Sequence, residues 1–354
     1  MPGITISQIQ EQIDKVLAEF IASKKAKLEN LDNDLKLVSE FLSDFILSGG
    51  KRFRPVFASL GYIGAGGTLN IPVTKAFASL ELVHVCALIH DDLMDGSDTR
   101  RNKPAIHKQF ESYHVNSNFK GSANQFGAAA AILLGDLALS WSDELLHSSD
   151  LSDNELSRAL PVFFEMREEL MAGQYLDVLE GVRAKSDRAR SSKIARLKSG
   201  KYSIERPLQF GASLAGANNK LISDFSKFGL LLGEAFQLRD DLLGVFGETS
   251  ITGKPSGDDI REGKRTILIA LALERSSPDE RVTIEKSLGN EKLDGSQIAA
   301  VQGIISRCGA MAECEKIIVG LFNEALSHLS SSTCDSAARE LLTEMATAAT
   351  QREK

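Results

Sequence analysis

Two short clusters of aspartates lie inside long apolar segments of this chain. The first is Asp91-Asp92-Leu93-Met94-Asp95, and the second is Asp240-Asp241-Leu242-Leu243-Gly244. Removing water from an unpaired carboxylate costs several kcal/mol or more, so a fold that places both clusters among apolar side chains needs compensating positive charge. Carboxylate oxygens are hard ligands that suit Mg²⁺. The two clusters therefore predict a site for divalent cations.

The apolar residues repeat at helical spacing along nearly the whole chain. The first stripe consists of Ile9, Ile13, Val16, Leu17, Phe20 and Ile21, and this spacing predicts an amphipathic helix. Further helices are predicted over residues 55–63, 72–94, 122–146, 153–179, 191–199, 202–215 and 222–246. No long stretch alternates as a strand does. We predict an all-α fold, a single-domain helical bundle (1–354) around a deep central cavity. Residues 1–30 are expected to form an N-terminal helix that packs on the bundle or on a dimer partner.

Composition and charge exclude several classes of protein. The chain has 354 residues, 43% of them hydrophobic, and a net charge of -7. An acidic chain of this kind lacks the basic face that sequence-independent nucleic-acid binding needs, so no nucleic-acid partner is expected. The first residues do not resemble a signal peptide, and apolar runs such as 127–134 are too short to span a bilayer. We therefore expect a cytoplasmic protein with no stable membrane insertion. Its four cysteines show no paired metal spacing, which favours buried, reduced thiols.

The spacing of the first cluster places its acids on one helix face. His84, Leu88, Asp91 and Asp95 follow at i, i+4, i+7 and i+11, so Asp91 and Asp95 lie one turn apart and are able to bind one ion together. The second cluster, with Gln237, Asp240 and Asp241, follows the same logic. If two facing helices bring these sets together, their like charges repel until divalent ions bind.

Basic residues accompany both clusters. Lys51 and Arg54 flank a predicted helix start, Arg100 and Arg101 closely follow Asp95, and Lys198, Lys254 and Lys264 lie further along the chain. Taken singly, each acidic run or basic residue is more often a solvated surface feature. Taken together, they favour one site for a polyanion, in which magnesium and cationic side chains hold a diphosphate. The polar segments 96–104 and 249–264 each follow an acidic cluster and are placed to close over such a ligand.

The order and spacing of these motifs resemble the trans-isoprenyl diphosphate synthases. The matching stretches run from residue 49 to residue 264 and include Gly-Gly-Lys-x-x-Arg-Pro, the two acidic clusters, Gly173-Gln174-Tyr175-Leu176-Asp177 and Lys198-Ser199. The resemblance is greatest to bacterial short-chain and geranylgeranyl-type members. It implies the isoprenoid synthase fold and a prenyltransferase that condenses isopentenyl diphosphate with dimethylallyl, geranyl or farnesyl diphosphate, most simply to geranylgeranyl diphosphate. The family is usually homodimeric, and residues 127–139 are a candidate contact surface.

The resemblance also implies a role for individual residues. Asp91 and Asp95 would ligate two magnesium ions and Asp240 a third, all bridging the allylic diphosphate, which Arg100, Lys198 and Lys254 would also contact. Gly50, Lys51, Arg54, His84 and Arg101 would bind isopentenyl diphosphate, with Asp241 near the substrates. Gln237 and Ser199 would present oxygens toward the reacting carbons. Because diphosphate is able to take the proton that is lost, the reaction requires no histidine base, and His84 is interpreted as a phosphate contact.

The length of the product is expected to depend on the helix wall below Asp91. Val83, Cys86 and Ala87 precede it by one to two turns, and Trp141 on a later helix is a candidate floor. Each isoprene unit occupies about one helical turn, about 5.4 Å. Small side chains at these positions therefore favour geranylgeranyl diphosphate, while a farnesyl or longer-chain product stays open.

Two positions depart from the family pattern. Gly244 stands where many members carry a third aspartate, which would leave Asp240 and Asp241 alone, and Asn102 replaces a glycine after the arginine pair. Asparagine tolerates a left-handed backbone, so the loop is expected to survive. The rival interpretations are a terpene cyclase or head-to-head condensing enzyme, a noncatalytic subunit, and a purely structural helical protein. Neither the preferred allylic primer nor the fate of the lipid product follows from the sequence.

Overall fold

The computed structural model describes residues 4–183, 188–248 and 256–351, which form helices almost throughout. The helices are α1 (Ile6–Leu31), α2 (Lys36–Leu47), α3 (Phe53–Gly64), α4 (Ile71–Met94), α5 (Ile106–Asn116), α6 (Ala123–His147), α7 (Asp153–Gly181), α8 (Arg188–Ala195), α9 (Arg206–Leu214), α10 (Asn219–Phe246), α11 (Asp258–Arg261), α12 (Ile267–Arg275), α13 (Pro278–Ser287), α14 (Gly295–Arg307), α15 (Ala310–Ser330) and α16 (Ser336–Thr350). A 3₁₀ turn (Asn33–Leu35) precedes α2, and a π-helix (Arg196–Glu205) joins α8 to α9. The two strands are β1 (Thr99–Arg100) and β2 (Lys103–Pro104).

The chain divides into two compact units, each with its own core. Unit 1 comprises residues 1–161, 207–218 and 335–341, and unit 2 comprises residues 162–206, 219–334 and 342–354. The prediction of one domain over residues 1–354 stays a prediction, while the all-α class is confirmed by the described helices.

Helix α1 has the amphipathic pattern that its sequence predicts. Ile9, Ile13, Leu17 and Ile21 are all buried on one face, which packs against α2 and α4 within unit 1. A capping box starts the helix, in which the Thr5 side chain accepts from the Gln8 backbone N–H and the Gln8 side chain accepts from the Thr5 backbone N–H. The N-terminal helix therefore belongs to the core of unit 1.

Helix α4 is the central helix of unit 1. It begins at the Asn70 cap, whose side chain accepts from the Val73 N–H, and it packs chiefly against α6, α1 and α3. By length and composition this helix is apolar enough to cross a membrane, although the short apolar runs of the sequence predict no membrane-spanning helix. In the structure, 67% of its most apolar window is buried inside the protein. An interior helix needs apolar side chains on most of its circumference. Its accessible side carries His84, Ala87 and Asp91.

The core of unit 2 surrounds α10. Leu238, Leu242 and Val245 of this helix are buried against side chains of α12, α14 and α15. The π-helix also packs along α10. The backbones of Gly200 and Gly233 approach so closely there that a Cβ on Gly233 would lie 2.4 Å from Gly200 Cα. These contacts fix the end of α10 that carries the second acidic cluster.

The structure differs from the prediction mainly between the helices. Residues 96–104 were predicted as a polar loop, but they contain an antiparallel hairpin in which Thr99 pairs with Pro104 and Arg100 with Lys103. Helix α5 had not been predicted, and the break predicted at residues 199–202 is instead the π-helix. Of the cysteines, Cys86, Cys314 and Cys334 are buried free thiols as expected, while Cys308 is half-buried.

Candidate active site

The first acidic cluster lies at the carboxyl end of α4. Asp95 caps this helix, with its backbone N–H donating to the Asp91 carbonyl at 2.8 Å, so the two carboxylates follow one turn apart as predicted. Carboxylates at a helix carboxyl end add to the negative end of the helix dipole. Asp92 differs from them, because it is only 1% exposed and Arg100 donates from Nε to both of its oxygens, at 2.9 and 3.2 Å. Asp92 is therefore committed to this ion pair.

Arg100 also lies 3.6 Å from Asp91, measured from Nη2 to Oδ2. It had been assigned to the allylic diphosphate, and the structure places it between the acids of its own cluster. The Arg100 side chain is 19% exposed, and its guanidinium donates to Asp92.

Four guanidinium groups surround His84. Partial burial, followed by the charges of Arg54, Arg101, Arg100 and Arg52, lowers the pKa of His84 well below its ordinary value. Burial and the neighbouring arginines also lower the pKa of Arg101, although the Glu81 carboxylate opposes this shift. The histidine is thus neutral at physiological pH, and the cluster fits a multiply charged anion. Arg54, His84, Arg100 and Arg101, predicted from separate motifs, lie together.

The hairpin turn sets the direction of Arg101. Arg101 and Asn102 both adopt left-handed backbone angles, with φ of 53° and 61°, which is the pattern of a two-residue turn that matches strand twist. Asn102 thus adopts the left-handed conformation that asparagine was expected to tolerate here. The left-handed conformation of Arg101 was not predicted. Arg101 then donates from Nη1 to the Gly49 carbonyl at 2.9 Å. A Cβ on Gly50 would lie 3.4 Å from Arg101 Nη2, so Gly50 lies against this guanidinium. Lys51 follows as an exposed residue.

In unit 2 the second acidic cluster brings several carboxylates close to Asp241. Burial, together with the carboxylates of Asp259, Asp240 and Asp177, raises the pKa of Asp241 to about 8, even though Gln237 Nε2 donates to its Oδ1 at 2.7 Å. The cluster also stands at the carboxyl end of α10, where the helix dipole is negative. Such a group of neighbouring carboxylates would be stabilised by a bound cation.

Lys198 is presented by the π-helix, a rare element found often at functional sites. Its Nζ lies 2.7 Å from Asp177 Oδ2. A Cβ on Gly173 would lie 2.7 Å from the Lys198 backbone nitrogen, so glycine at this position lets α7 approach the π-helix closely. No role was predicted for Asp177 from the sequence, although this residue belongs to the Gly-Gln-Tyr-Leu-Asp motif. Its position one turn after Gly173 is the sequence signal that indicates a place in the site. Ser199 is half-buried beside Lys198.

Asp259 is a site residue that sequence reasoning missed. A Cβ on Gly244 would lie 1.9 Å from Asp259 Oδ2, so α11 supplies a carboxylate where related chains were expected to carry a third aspartate. The expectation that Gly244 leaves Asp240 and Asp241 alone is therefore wrong. Lys264 lies 3.7 Å from Asp259, measured between Nζ and Oδ1, and also pairs with Glu262 at 2.6 Å. The predicted Lys254 lies outside the described residues.

The predicted wall residues differ in their exposure. Ala87 is half-buried one turn before Asp91, whereas Val83, Cys86 and Trp141 are nearly fully buried. Cys86 Sγ lies 3.7 Å from His90 Nδ1, and the Trp141 ring meets Phe20 of α1 edge-on at a centroid distance of 6.4 Å. Ala87 is therefore the member of this set that shares the accessible side of α4 with Asp91.

The donor set suits magnesium better than a metal held by protein alone. Among the described residues, no group of three or more His, Cys, Asp or Glu side chains forms a ready-made metal site. Magnesium commonly binds through one or two carboxylates together with waters and substrate phosphates. Asp91 with Asp95, and the carboxylates of Asp177, Asp240 and Asp259 around Asp241, provide this kind of partial ligand set.

Comparison with known proteins agrees with this chemistry. Residues 35–305 match the family model described as polyprenyl synthetase. A curated geranylgeranyl diphosphate synthase from Sulfolobus acidocaldarius is 30% identical over 85% of this chain and 83% of its own length, and an octaprenyl diphosphate synthase from Escherichia coli is 29% identical over 85% and 86%. 

A solved structure is more similar still. It is the geranylgeranyl pyrophosphate synthase from Corynebacterium glutamicum, complexed with isoprenyl diphosphate and magnesium, with 38% identity, coverage of 99% of this chain and 100% of that chain, and a TM-score of 0.96. This agreement confirms the isoprenoid synthase fold that the resemblance implied. The chain belongs to the polyprenyl synthetase family of prenyltransferases.

Proposed function

We propose that this protein condenses isopentenyl diphosphate with an allylic diphosphate and that its main product is geranylgeranyl diphosphate. The observation that carries the proposal is the pairing of acidic and cationic clusters within unit 1, where Asp91 and Asp95 follow His84 along α4, and Arg54 of α3 and Arg100 and Arg101 of the hairpin lie near His84. One substrate diphosphate binds through metal at the acids, and the other binds directly to the cations.

Magnesium is the cofactor of this proposal, with three ions per active site when substrate is bound. Asp91 and Asp95 would hold two of them and Asp240 the third. The ions supply positive charge that stabilises the departing diphosphate. The raised pKa of Asp241, together with the neighbouring Asp259 carboxylate, supports a cation requirement at the second cluster. The magnesium bound to the related Corynebacterium enzyme supports the identity of the metal.

The protein side chains perform the remaining tasks. Lys198 and Arg100 contact the allylic diphosphate, and Lys254 joins them. The allylic C–O bond breaks and its electron pair leaves with the diphosphate. The isopentenyl double bond then forms the new C–C bond, and a proton passes to the released diphosphate. Gln237 and Ser199 present oxygens toward the carbons that carry positive charge, and apolar side chains exclude water from them.

His84 acts here as a neutral ligand and not as a base. Its lowered pKa leaves the imidazole uncharged among arginines that already supply positive charge. An uncharged ring is able to donate one hydrogen bond to a phosphate oxygen without adding to the repulsion among the guanidinium groups. Lys51, Arg54 and Arg101 complete this subsite.

The small Ala87 on the accessible side of α4 supports a product longer than farnesyl. The geranylgeranyl names of the Sulfolobus and Corynebacterium proteins support the same length, and the octaprenyl relative keeps a longer product as the second candidate. We further propose a cytoplasmic homodimer formed through α6. This helix leaves Phe126, Ile132 and Leu133 exposed, with Leu133 66% exposed, and such a run of apolar surface is typical of an interface.

Turnover with purified protein tests the proposal directly. Isopentenyl diphosphate is supplied with dimethylallyl, geranyl or farnesyl diphosphate, with and without Mg²⁺, and the dephosphorylated products are separated by chain length. We expect C20 alcohol that depends on both substrates and on the metal. Hydrocarbons formed without isopentenyl diphosphate would support a terpene cyclase. No product from any primer would reject the enzymatic assignment, and a magnesium-dependent thermal shift with a bisphosphonate then separates a noncatalytic binder from a structural protein.

A further inference from the structure

The backbone between α2 and α3 adopts unusual angles next to the proposed subsite for isopentenyl diphosphate. Gly49 and Gly50 have φ of 92° and 135°, and Arg52 is left-handed with φ of 49°. A left-handed conformation is unfavourable for a non-glycine residue, and it persists only where the surroundings hold it. Arg52 had been given no role by its motif.

Arg52 is held by three partners and is only 3% exposed, whereas its neighbour Lys51 is exposed. Its Nη1 donates to Glu81 Oε1 at 2.8 Å, its Nε donates to Asp14 Oδ1 at 2.7 Å, and its Nη2 donates to the Ile46 carbonyl at 3.0 Å. Glu81 is buried in the middle of α4. Two carboxylates therefore balance the guanidinium, which has little charge left to offer an anion.

Helix α1 makes a second contact with the same loop. Gln10 Nε2 donates to the Lys51 carbonyl at 2.8 Å, and Gln10 lies one turn before Asp14. The N-terminal helix thus contacts two successive residues of the loop. Together with Glu81 it holds the backbone in the conformation that exposes Lys51 while Arg52 is buried.

We propose that Arg52 is a positioning residue, and that Asp14 and Gln10 of α1 anchor it so that Lys51 and Arg54 are aligned for the isopentenyl diphosphate group. The inference rests on the proposed function, because it assigns a consequence to Lys51 and Arg54 as diphosphate ligands. It gives the N-terminal helix a part in substrate recognition without any direct contact to substrate. Misalignment of charged ligands weakens binding more than it slows the chemical step, provided that the other substrate binds elsewhere.

The test compares Asp14→Asn with Glu19→Gln. Both substitutions remove the charge of an exposed carboxylate from α1, and only the first removes it from a partner of Arg52. Steady-state kinetics are measured by varying isopentenyl diphosphate at saturating allylic diphosphate, and then the reverse. We expect Asp14→Asn to raise the KM for isopentenyl diphosphate by about threefold to tenfold, since the ion pair with Arg52 is replaced by a weaker hydrogen bond to a neutral amide oxygen. The KM for the allylic substrate and kcat are expected to stay within about twofold.

Three further measurements separate the possible outcomes. Asp14→Glu keeps the charge and is expected to recover most of the affinity, while Gln10→Ala, which removes a neutral contact, is expected to give a smaller increase in the same KM. Circular dichroism and thermal unfolding establish that each variant is folded. If the wild-type enzyme forms no product, the proposed function fails. If the wild type is active and Asp14→Asn and Gln10→Ala both match Glu19→Gln in every constant, or if both KM values rise equally, the positioning role is refuted while the enzyme assignment stands.

Discussion

The carboxylate of Asp259 occupies the space that a side chain on residue 244 would need. An ideal Cβ on Gly244 lies 1.9 Å from Asp259 Oδ2 and 2.3 Å from its Cγ. Because Asp259 is one of the charges that raise the pKa of Asp241, this contact ties the glycine to the electrostatics of the second acidic cluster. The departure from the expected third aspartate is thus matched by an acid from α11.

Gly244→Ala is expected to lower the apparent affinity of the protein for magnesium. The new methyl group displaces the Asp259 carboxylate, so the half-saturating Mg²⁺ concentration for turnover should rise by about tenfold or more, which is the scale of effect seen when groups that support a metal site are lost. Activity titrated against Mg²⁺ at fixed substrate measures this constant.

Gly320→Ala is the matched control, since a Cβ at that position meets no atom within 4 Å and the residue lies inside α15. It is expected to leave the Mg²⁺ titration unchanged and to stabilise the fold by up to about 1 kcal/mol through helix propensity. If Gly244→Ala gives the same titration curve as Gly320→Ala, Asp259 has no part in the metal site.

The helices were predictable because each one carries its own periodic signal. The Ile9, Ile13 and Leu17 stripe of α1 and the apolar length of α4 are local patterns, and their predicted spans agree closely with the structure. The acids and cations of the site were predictable for a related reason, since each family motif is itself a short local sequence.

The long-range contacts that organise the site could not be predicted from local sequence patterns. Arg52 meets Asp14 and Glu81 at sequence separations of 38 and 29 residues, and no local pattern indicates which buried acid an arginine will meet. The hairpin has only two residues in each strand, too few for alternation to show. Asp259 is next to Gly244 only because α11 folds back toward α10 within unit 2.

Asp95→Asn is expected to reduce kcat by about a hundredfold or more, because one neutral oxygen replaces a charged magnesium ligand while the leaving group needs full stabilisation. The measurement is steady-state turnover over a range of Mg²⁺ concentrations. Asp98→Asn is the control, since this residue is exposed and pairs with Lys108 at 3.3 Å. It should retain nearly full activity. Equal losses in the two variants would remove Asp95 from the metal site.

His84 is expected to make the protein less stable as pH falls below 6.5. The folded-state pKa of His84 is well below the ordinary value of 6.5, so between the two values the unfolded chain binds a proton that the folded chain does not. Stability therefore rises with pH in this window, by at most about 1.4 kcal/mol per pH unit from this one group.

Chemical denaturation of the ligand-free protein between pH 5 and pH 8 measures this effect. His84→Gln should flatten the pH dependence below about pH 6.5, whereas His147→Gln, which removes an exposed imidazole, should not. A wild-type curve that His84→Gln leaves unaltered would show that the pKa of His84 does not differ between the folded and the unfolded chain.

Leu133→Glu tests the proposed dimer surface on α6. Placing a charge in the centre of an apolar contact leaves it desolvated and unpaired, so the variant is expected to dissociate at concentrations where the wild type is dimeric. Sedimentation velocity reports the change. Val282→Glu is the control, because Val282 is also exposed, at 46%, on α13 of unit 2. A wild-type protein that sediments as a monomer, or a Leu133→Glu dimer as stable as that of the control, contradicts the assignment.

Ala87→Phe is expected to shorten the product. Ala87 lies one turn before Asp91 on the accessible side of α4, and a phenyl ring there takes up length comparable to one isoprene unit, about 5.4 Å along the helix. The main product should move from C20 to C15, while the KM for isopentenyl diphosphate, which is proposed to bind at the cations around His84, stays within about twofold. Cys86→Phe, at a buried position, is expected to act in the same direction with a larger loss of stability, since overpacking a core costs about 1–3 kcal/mol.

Chromatography of dephosphorylated products reads the chain length, with Ala300→Phe on the exposed side of α14 as the control. An unaltered C20 profile in Ala87→Phe places the growing chain against a different wall.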